Sequence, residues 1–142
     1  GMALKAYADD SMLVERRGSI ASIVLARPKA LNSLSLPMVR TLWAAFNDCV
    51  ADPQVSSIVM TGAGGKAFCA GGDVRAVMEA RTSFLLNAHL AGRFGRPDAD
   101  EEDLSDAFFR EEYALNAAIA GCPKPQVSVW DGIVMGGGAG VS

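Results

Sequence analysis

Met12 to Arg17 and Ser19 to Arg27 form two strand-like runs, each an apolar stretch containing β-branched residues that gives way to arginine. Gly18-Ser19 joins them and suits a type II′ hairpin, because glycine takes the positive φ of the first central position without strain. The pattern then changes. Met38, Leu42, Ala45, Phe46 and Cys49 recur at helical spacing, with Ser35 as the cap, Pro37 in the first turn and Asp52-Pro53 as the stop. Ser57 to Thr61 is a short β-branched run of the kind that lies in a sheet core, and Asp73 caps a helix expected to end near Arg81. From Thr82 to Asp103 regularity is lost. Arg93-Phe94-Gly95-Arg96-Pro97 and the acidic run after it predict a mobile surface insertion over 82–103. Leu104 to Ala120 reads as a long helix ending at Gly121-Cys122-Pro123, followed by strand-like Val127 to Trp130 and Ile133-Val134.

Strands and helices in this order predict one α/β domain over residues 1–142, and at half apolar residues the chain can build a single core. A net charge of −3 with no basic cluster excludes a nucleic-acid footprint. No apolar run reaches the roughly 18 residues of a membrane span. Asp9, Asp10, Glu15, Arg16 and Arg17 interrupt the start, so no signal peptide is expected, and Gly1 before Met2 reads as a cleavage scar. Cys49, Cys69 and Cys122 are widely spaced without a CxxC, which predicts reduced thiols, no metal site and a cytoplasmic protein.

The candidate chemistry lies in two glycine turns, Phe68-Cys69-Ala70-Gly71-Gly72-Asp73 and Met135-Gly136-Gly137-Gly138-Ala139-Gly140. Each follows a β-branched run and leads toward a helix. If the turns meet in space, each supplies a bare backbone N–H to one oxygen, as an acyl thioester or enolate oxyanion requires. Gly62-Ala63-Gly64-Gly65-Lys66-Ala67 fits the loose dinucleotide pattern G-x-G-x-x-A, but the next helix cap comes only at Asp73, too late for that use. Met60 and Ala67 break a P-loop pattern. Cys69 has only His89 as an imidazole partner in the whole chain, so a small buried thiol is the better reading than a nucleophile. On the last long helix Leu104, Phe108, Leu115 and Ile119 form one apolar stripe, with Glu111 and Glu112 on its opposite edges. Periodicity alone leaves open which glutamate borders the core.

Three ordered segments now carry a resemblance: Arg27-Pro28-Lys29-Ala30-Leu31-Asn32-Ser33-Leu34, Gly64 to Asp73, and Met135-Gly136-Gly137-Gly138. Together they resemble the crotonase (enoyl-CoA hydratase/isomerase) superfamily. Phe108-Phe109-Arg110-Glu111-Glu112-Tyr113 and the stretch Lys124 to Gly138 are most similar to its 3-hydroxyisobutyryl-CoA hydrolase branch.

The resemblance implies an α/β crotonase spiral of ββα units, incomplete in this chain, and an acyl-CoA substrate with no other cofactor. It implies that Gly72 and Gly137 form the oxyanion hole, that Glu112 binds substrate, and that Lys29, Ala30, Leu31, Lys66, Ala70, Gly71 and Asp73 line the CoA channel. The backbone around Ala70 is expected at the adenine edge, and Lys29 or Lys66 at a phosphate. Hydratases of the superfamily carry a glutamate where this chain has Gly140, which favours thioester hydrolysis over hydration. The hydrolase branch places its catalytic acids well beyond the triple glycine. The chain is therefore expected to be the carbonyl-binding portion, inactive alone, with an exposed apolar surface and possible homo-oligomers. A hydratase or isomerase, and a non-catalytic CoA-binding or assembly module, are the competing readings.

Overall fold

The computed structural model describes residues 2–3, 10–90 and 104–142. Among the described residues, seven strands and four helices run in the order β1 (Met2–Ala3), β2 (Met12–Arg17), β3 (Ile20–Leu25), α1 (Leu36–Ala51), β4 (Ser57–Gly62), β5 (Ala67–Cys69), α2 (Val74–Leu90), α3 (Leu104–Ala120), β6 (Gln126–Ser128), β7 (Ile133–Val134) and α4 (Gly137–Gly140). A 3-10 turn, Pro28–Ala30, links β3 to α1.

The hairpin forms as expected, pairing Arg17 with Ile20 across Gly18, whose φ of 62° fits the type II′ turn. From β3 onward the sheet turns parallel, in the order β1-β2-β3-β4-β6, and β5 pairs with β7 in a second, two-stranded sheet. After the first unit, whose β2 and β3 both lie in the larger sheet, the later units give one strand to each sheet: β4 and β5 before α2, then β6 and β7 before α4. This is a spiral, and it carries the end of β5 and the end of β7 to the same place. The two strand-like segments expected over Val127 to Val134 accordingly join different sheets, which their pattern alone did not indicate.

Ser35 caps α1 by accepting a hydrogen bond from the Met38 N–H at 3.4 Å. Lys124 closes the other end, donating to the carbonyls of Cys49 at 2.9 Å and Asp52 at 2.6 Å. The core lies between α1 and the larger sheet. Ile23, Leu25, Leu42, Ile58 and Met60 are fully buried there, and Phe108 and Leu115 of α3 join from the side. Val127, Val129, Trp130, Ile133 and Met135 are exposed along β6, β7 and the turn after them.

One boundary differs from expectation. α2 continues past Arg81 to Leu90. Thr82 to Leu90 lacks an apolar stripe but also lacks glycine and proline, so intrinsic propensity carries the helix on, leaving Leu85, Leu86 and Leu90 exposed. The insertion predicted over 82–103 is therefore helical to residue 90, and its remainder lies outside the described residues.

Among the described residues, no helix is long and apolar enough to cross a membrane, and no cluster of His, Cys, Asp or Glu is placed to hold a metal ion.

Candidate functional site: two glycine turns and a buried glutamate

Asn32 builds the floor of the site. Its side chain is fully buried: Oδ1 accepts from the Arg27 N–H at 2.8 Å, and Nδ2 donates to the carbonyls of Ala63 at 3.0 Å and Ala67 at 2.8 Å. Asn32 takes a left-handed φ of 55°, which asparagine tolerates better than most residues. Leu31 before it shares this conformation at φ 52°, a strained choice for a leucine. The bent segment then pairs with the first glycine turn. Leu34 donates to the Gly71 carbonyl at 2.8 Å, Asp73 to Leu34 at 2.7 Å, and Ala70 to Leu31 at 3.0 Å.

Asp73 is held twice. Its Oδ1 accepts from the Ala76 N–H at 3.2 Å, capping α2, and its Oδ2 pairs with Arg27 at 3.0 Å. The same guanidinium donates to the Ser33 carbonyl at 2.6 Å. Its carboxylate is thereby occupied by the fold.

The second glycine turn lies directly against the first. A Cβ added to Gly71 would come within 2.8 Å of the Met135 carbonyl oxygen, and one added to Gly137 would sit 3.6 Å from the Gly72 nitrogen. Among the described residues, neither the Gly72 nor the Gly137 N–H takes part in the backbone bonds that close these turns. Glu112 of α3 completes the group. A Cβ on Gly137 would collide with its carboxylate, and one on Gly72 would lie 3.9 Å from Oε2 and 3.0 Å from the Phe108 ring. Phe108 thus sets how close α3 comes to the first turn, a role its place in the apolar stripe concealed.

The structure also separates the two glutamates. Glu111 faces α1 and receives two hydrogen bonds from Arg40, at 2.8 and 2.7 Å, which hold its carboxyl below the usual range. Glu112 is 5% exposed, and burial raises its pKa. Glu112 in the folded chain therefore keeps its proton to higher pH than in the unfolded chain. Its contribution to stability is complete below the unfolded value and fades as pH rises from there through the raised folded value. Glu112→Gln should abolish that loss, so the variant's melting temperature should gain on the parent's as pH rises from acid toward neutral. Equal pH profiles for the two proteins would contradict this assignment.

Lys29 and Lys66 are both exposed, on turns brought together where the Pro28 ring packs on Gly64. Ala30 and Leu31 follow on the same bend, and the Lys66 carbonyl is tied to the Ile133 N–H at 3.1 Å. A cleft of about 350 Å³ opens between the starts of α1 and α2, lined by Leu36, Pro37, Arg40, Asp73, Val77 and Phe108.

Cys69 sits at the base of the first turn, fully buried, and burial lifts its thiol to about 11. The thiol is protonated at neutral pH, which agrees with reading it as a packing group. Cys49 is likewise buried and pushed up to about 11, whereas Cys122 is half-buried. Maleimide at neutral pH should label Cys122 first; prior labelling of Cys69 in the folded protein would contradict the placement.

Comparison with known proteins puts this geometry in context. A family model described as enoyl-CoA hydratase/isomerase matches residues 20–142. Rat mitochondrial 3-hydroxyisobutyryl-CoA hydrolase is 47% identical over 131 residues, which is 92% of this chain and 30% of the rat protein. The human enzyme of the same name is 40% identical over 95% of this chain and 31% of its own length. The chain thus spans about a third or less of these relatives. Among solved structures, a carnitinyl-CoA dehydratase from Mycobacterium thermoresistibile superposes with a TM-score of 0.75 at 38% identity, over 94% of this chain and 34% of that one. An enoyl-CoA hydratase from Rhodobacter sphaeroides gives a TM-score of 0.70 at 34% identity, over 94% and 35%. These neighbours bear out the expected fold. One expectation is corrected: the relatives of this chain are mitochondrial by name, which contradicts the cytoplasm inferred from three unpaired cysteines. Free thiols report a reducing compartment and do not say which one.

Proposed function

This chain belongs to the enoyl-CoA hydratase/isomerase family, and from that premise we propose that it forms the thioester-binding portion of an acyl-CoA hydrolase acting on 3-hydroxyisobutyryl-CoA. The observation that carries the reading is the meeting of Gly72, Gly137 and the buried Glu112 at one point. In this proposal the Gly72 and Gly137 N–H groups donate to the thioester carbonyl oxygen. Charge that builds on that oxygen as water adds is met by donors already in position, so little reorganisation is needed. Glu112, raised by burial, can donate or accept at the acyl end. Addition of water and departure of the CoA thiol then release the free acid. The base that activates the water is not among the groups described above.

Lys29 and Lys66 supply positive charge for the CoA phosphates. Ala30, Leu31, Gly71 and Ala70 line the channel, and since the Ala70 N–H is taken by Leu31, only the Ala70 carbonyl is offered to an adenine amino group. Asp73 serves by holding the turn. No cofactor beyond the CoA of the substrate is invoked. Gly140 supports hydrolysis over hydration, because it puts no second carboxylate at this end of the site.

Calorimetry of the chain with CoA and with 3-hydroxyisobutyryl-CoA tests the proposal. Binding of both, tighter for the thioester, is expected. Failure of either to bind would remove it. Lys29→Ala with Lys66→Ala should weaken CoA by about tenfold, the scale of lost charge-assisted contacts, and more so at low salt.

A further inference from the structure

α3 presents a second polar side chain to the same glycine helix. Asn116 lies four residues after Glu112, so the two share one face of α3. Their partners on α4 are matched: the Glu112 carboxylate abuts Gly137, and the Asn116 amide abuts Gly140, the two ends of one short helix. A Cβ on Gly140 would fall 2.5 Å from Asn116 Nδ2 and 3.1 Å from Oδ1, so residue 140 must be glycine for the amide to stand where it does. Among the described residues, the buried Asn116 Oδ1 also has no hydrogen-bond partner. A buried amide oxygen left unpaired is costly, and a fold retains it where a ligand or water supplies the donor.

We infer that Asn116 is a specificity-determining residue whose Oδ1 accepts a hydrogen bond from a hydroxyl on the acyl group, one turn of α3 beyond the Glu112 that faces the thioester. The inference rests on the thioester reading of the site and adds which part of the substrate is recognised. Glu112 and Asn116 stand one helical turn apart along α4, at Gly137 and Gly140. A β-hydroxyl lies two carbons from the carbonyl, and in this inference the acyl chain of a ligand held at Gly72 and Gly137 runs from Glu112 toward Asn116. A site built to pair a hydroxyl also rejects the analogue lacking it, since the amide oxygen then stays unpaired.

The test compares 3-hydroxyisobutyryl-CoA with isobutyryl-CoA, which differ by that hydroxyl alone, using calorimetry on the chain. The parent should bind the hydroxy compound about tenfold more tightly. Asn116→Leu, nearly the same size and apolar, should erase the preference by weakening only the hydroxy compound. Equal binding of both compounds by the parent protein overturns the inference without any variant. Equal weakening of both by Asn116→Leu overturns it too, since that marks a packing role. If Asn116→Leu does not fold, Asn116→Ala is read against the same two outcomes. CoA distinguishes the levels of the argument: if CoA and isobutyryl-CoA bind but the hydroxyl makes no difference, only the role of Asn116 falls. If CoA itself does not bind, the thioester reading falls with it.

Discussion

Asn32→Ala should cost the fold about 4 kcal/mol, enough to unfold a marginal domain, because it strands three buried backbone groups at about 1–3 kcal/mol each and only part of that is recovered by relaxation. The groups are the Arg27 N–H and the carbonyls of Ala63 and Ala67, all of which now end on one side chain. Alanine also bears the left-handed φ of 55° less well than asparagine. Asn32→Asp separates these terms. It keeps Oδ1 for Arg27 but places a second oxygen against two carbonyl oxygens, so it should be no better tolerated than alanine. Urea denaturation followed by circular dichroism measures both variants. A loss below about 1 kcal/mol for Asn32→Ala would mean that these bonds are replaced by others, and the account of this segment would be wrong.

Gly137→Ala and Gly138→Ala should fail in different ways although they are adjacent. The methyl at 138 would strike the backbone carbonyl of Cys69 in β5, with the Cys69 carbonyl carbon at 2.9 Å and Cβ at 3.0 Å. Strand backbone cannot yield without breaking the pairing of β5 with β7, so Gly138→Ala should destabilise by about 3 kcal/mol or more, at the upper end of overpacking costs. The methyl at 137 meets the Glu112 carboxylate, the free end of a flexible side chain. Glu112 can swing aside, so stability should fall by only about 1 kcal/mol. Ligand binding is another matter. With Glu112 displaced and the second turn pushed from the first, acyl-CoA affinity should drop about tenfold to a hundredfold, the scale of a lost hydrogen bond to a charged or strongly polar group. Thermal melts and calorimetry on the same preparations give both numbers. A Gly137→Ala protein that binds acyl-CoA as tightly as its parent would show that Glu112 and Gly137 do not act on the ligand together.

Much of the fold was legible locally. The Ser35 cap, the stripe from Met38 to Cys49 and the Asp52-Pro53 stop specify α1 because cap, period and breaker all lie within one segment. Leu104 to Ala120 shows its own stripe and a stop at Gly121-Cys122-Pro123, and Gly18 announces the hairpin. α2 was harder. Its second half buries little, so no stripe marked it, and helical propensity without a breaker decided its length.

By itself the sequence determined where the chain turns, which faces are apolar and that two glycine turns follow two strands, since these depend on residues within reach of one another along the chain. The helical period left Glu111 and Glu112 equivalent and the resemblance implied Glu112; only the tertiary structure showed which of the two is buried. α1 crosses α3 so that Arg40 claims Glu111, leaving Glu112 buried against Gly137. It also placed Asn32 and Asn116 against their partners. Neither carries a local pattern: Asn32 ties together backbone groups 31 and 35 positions away, and Asn116 acquires its meaning from Gly140 across a helix contact. Pairings at such separations are made by the parallel spiral, which brings the ends of β5 and β7 side by side, and no periodicity within a segment can report them.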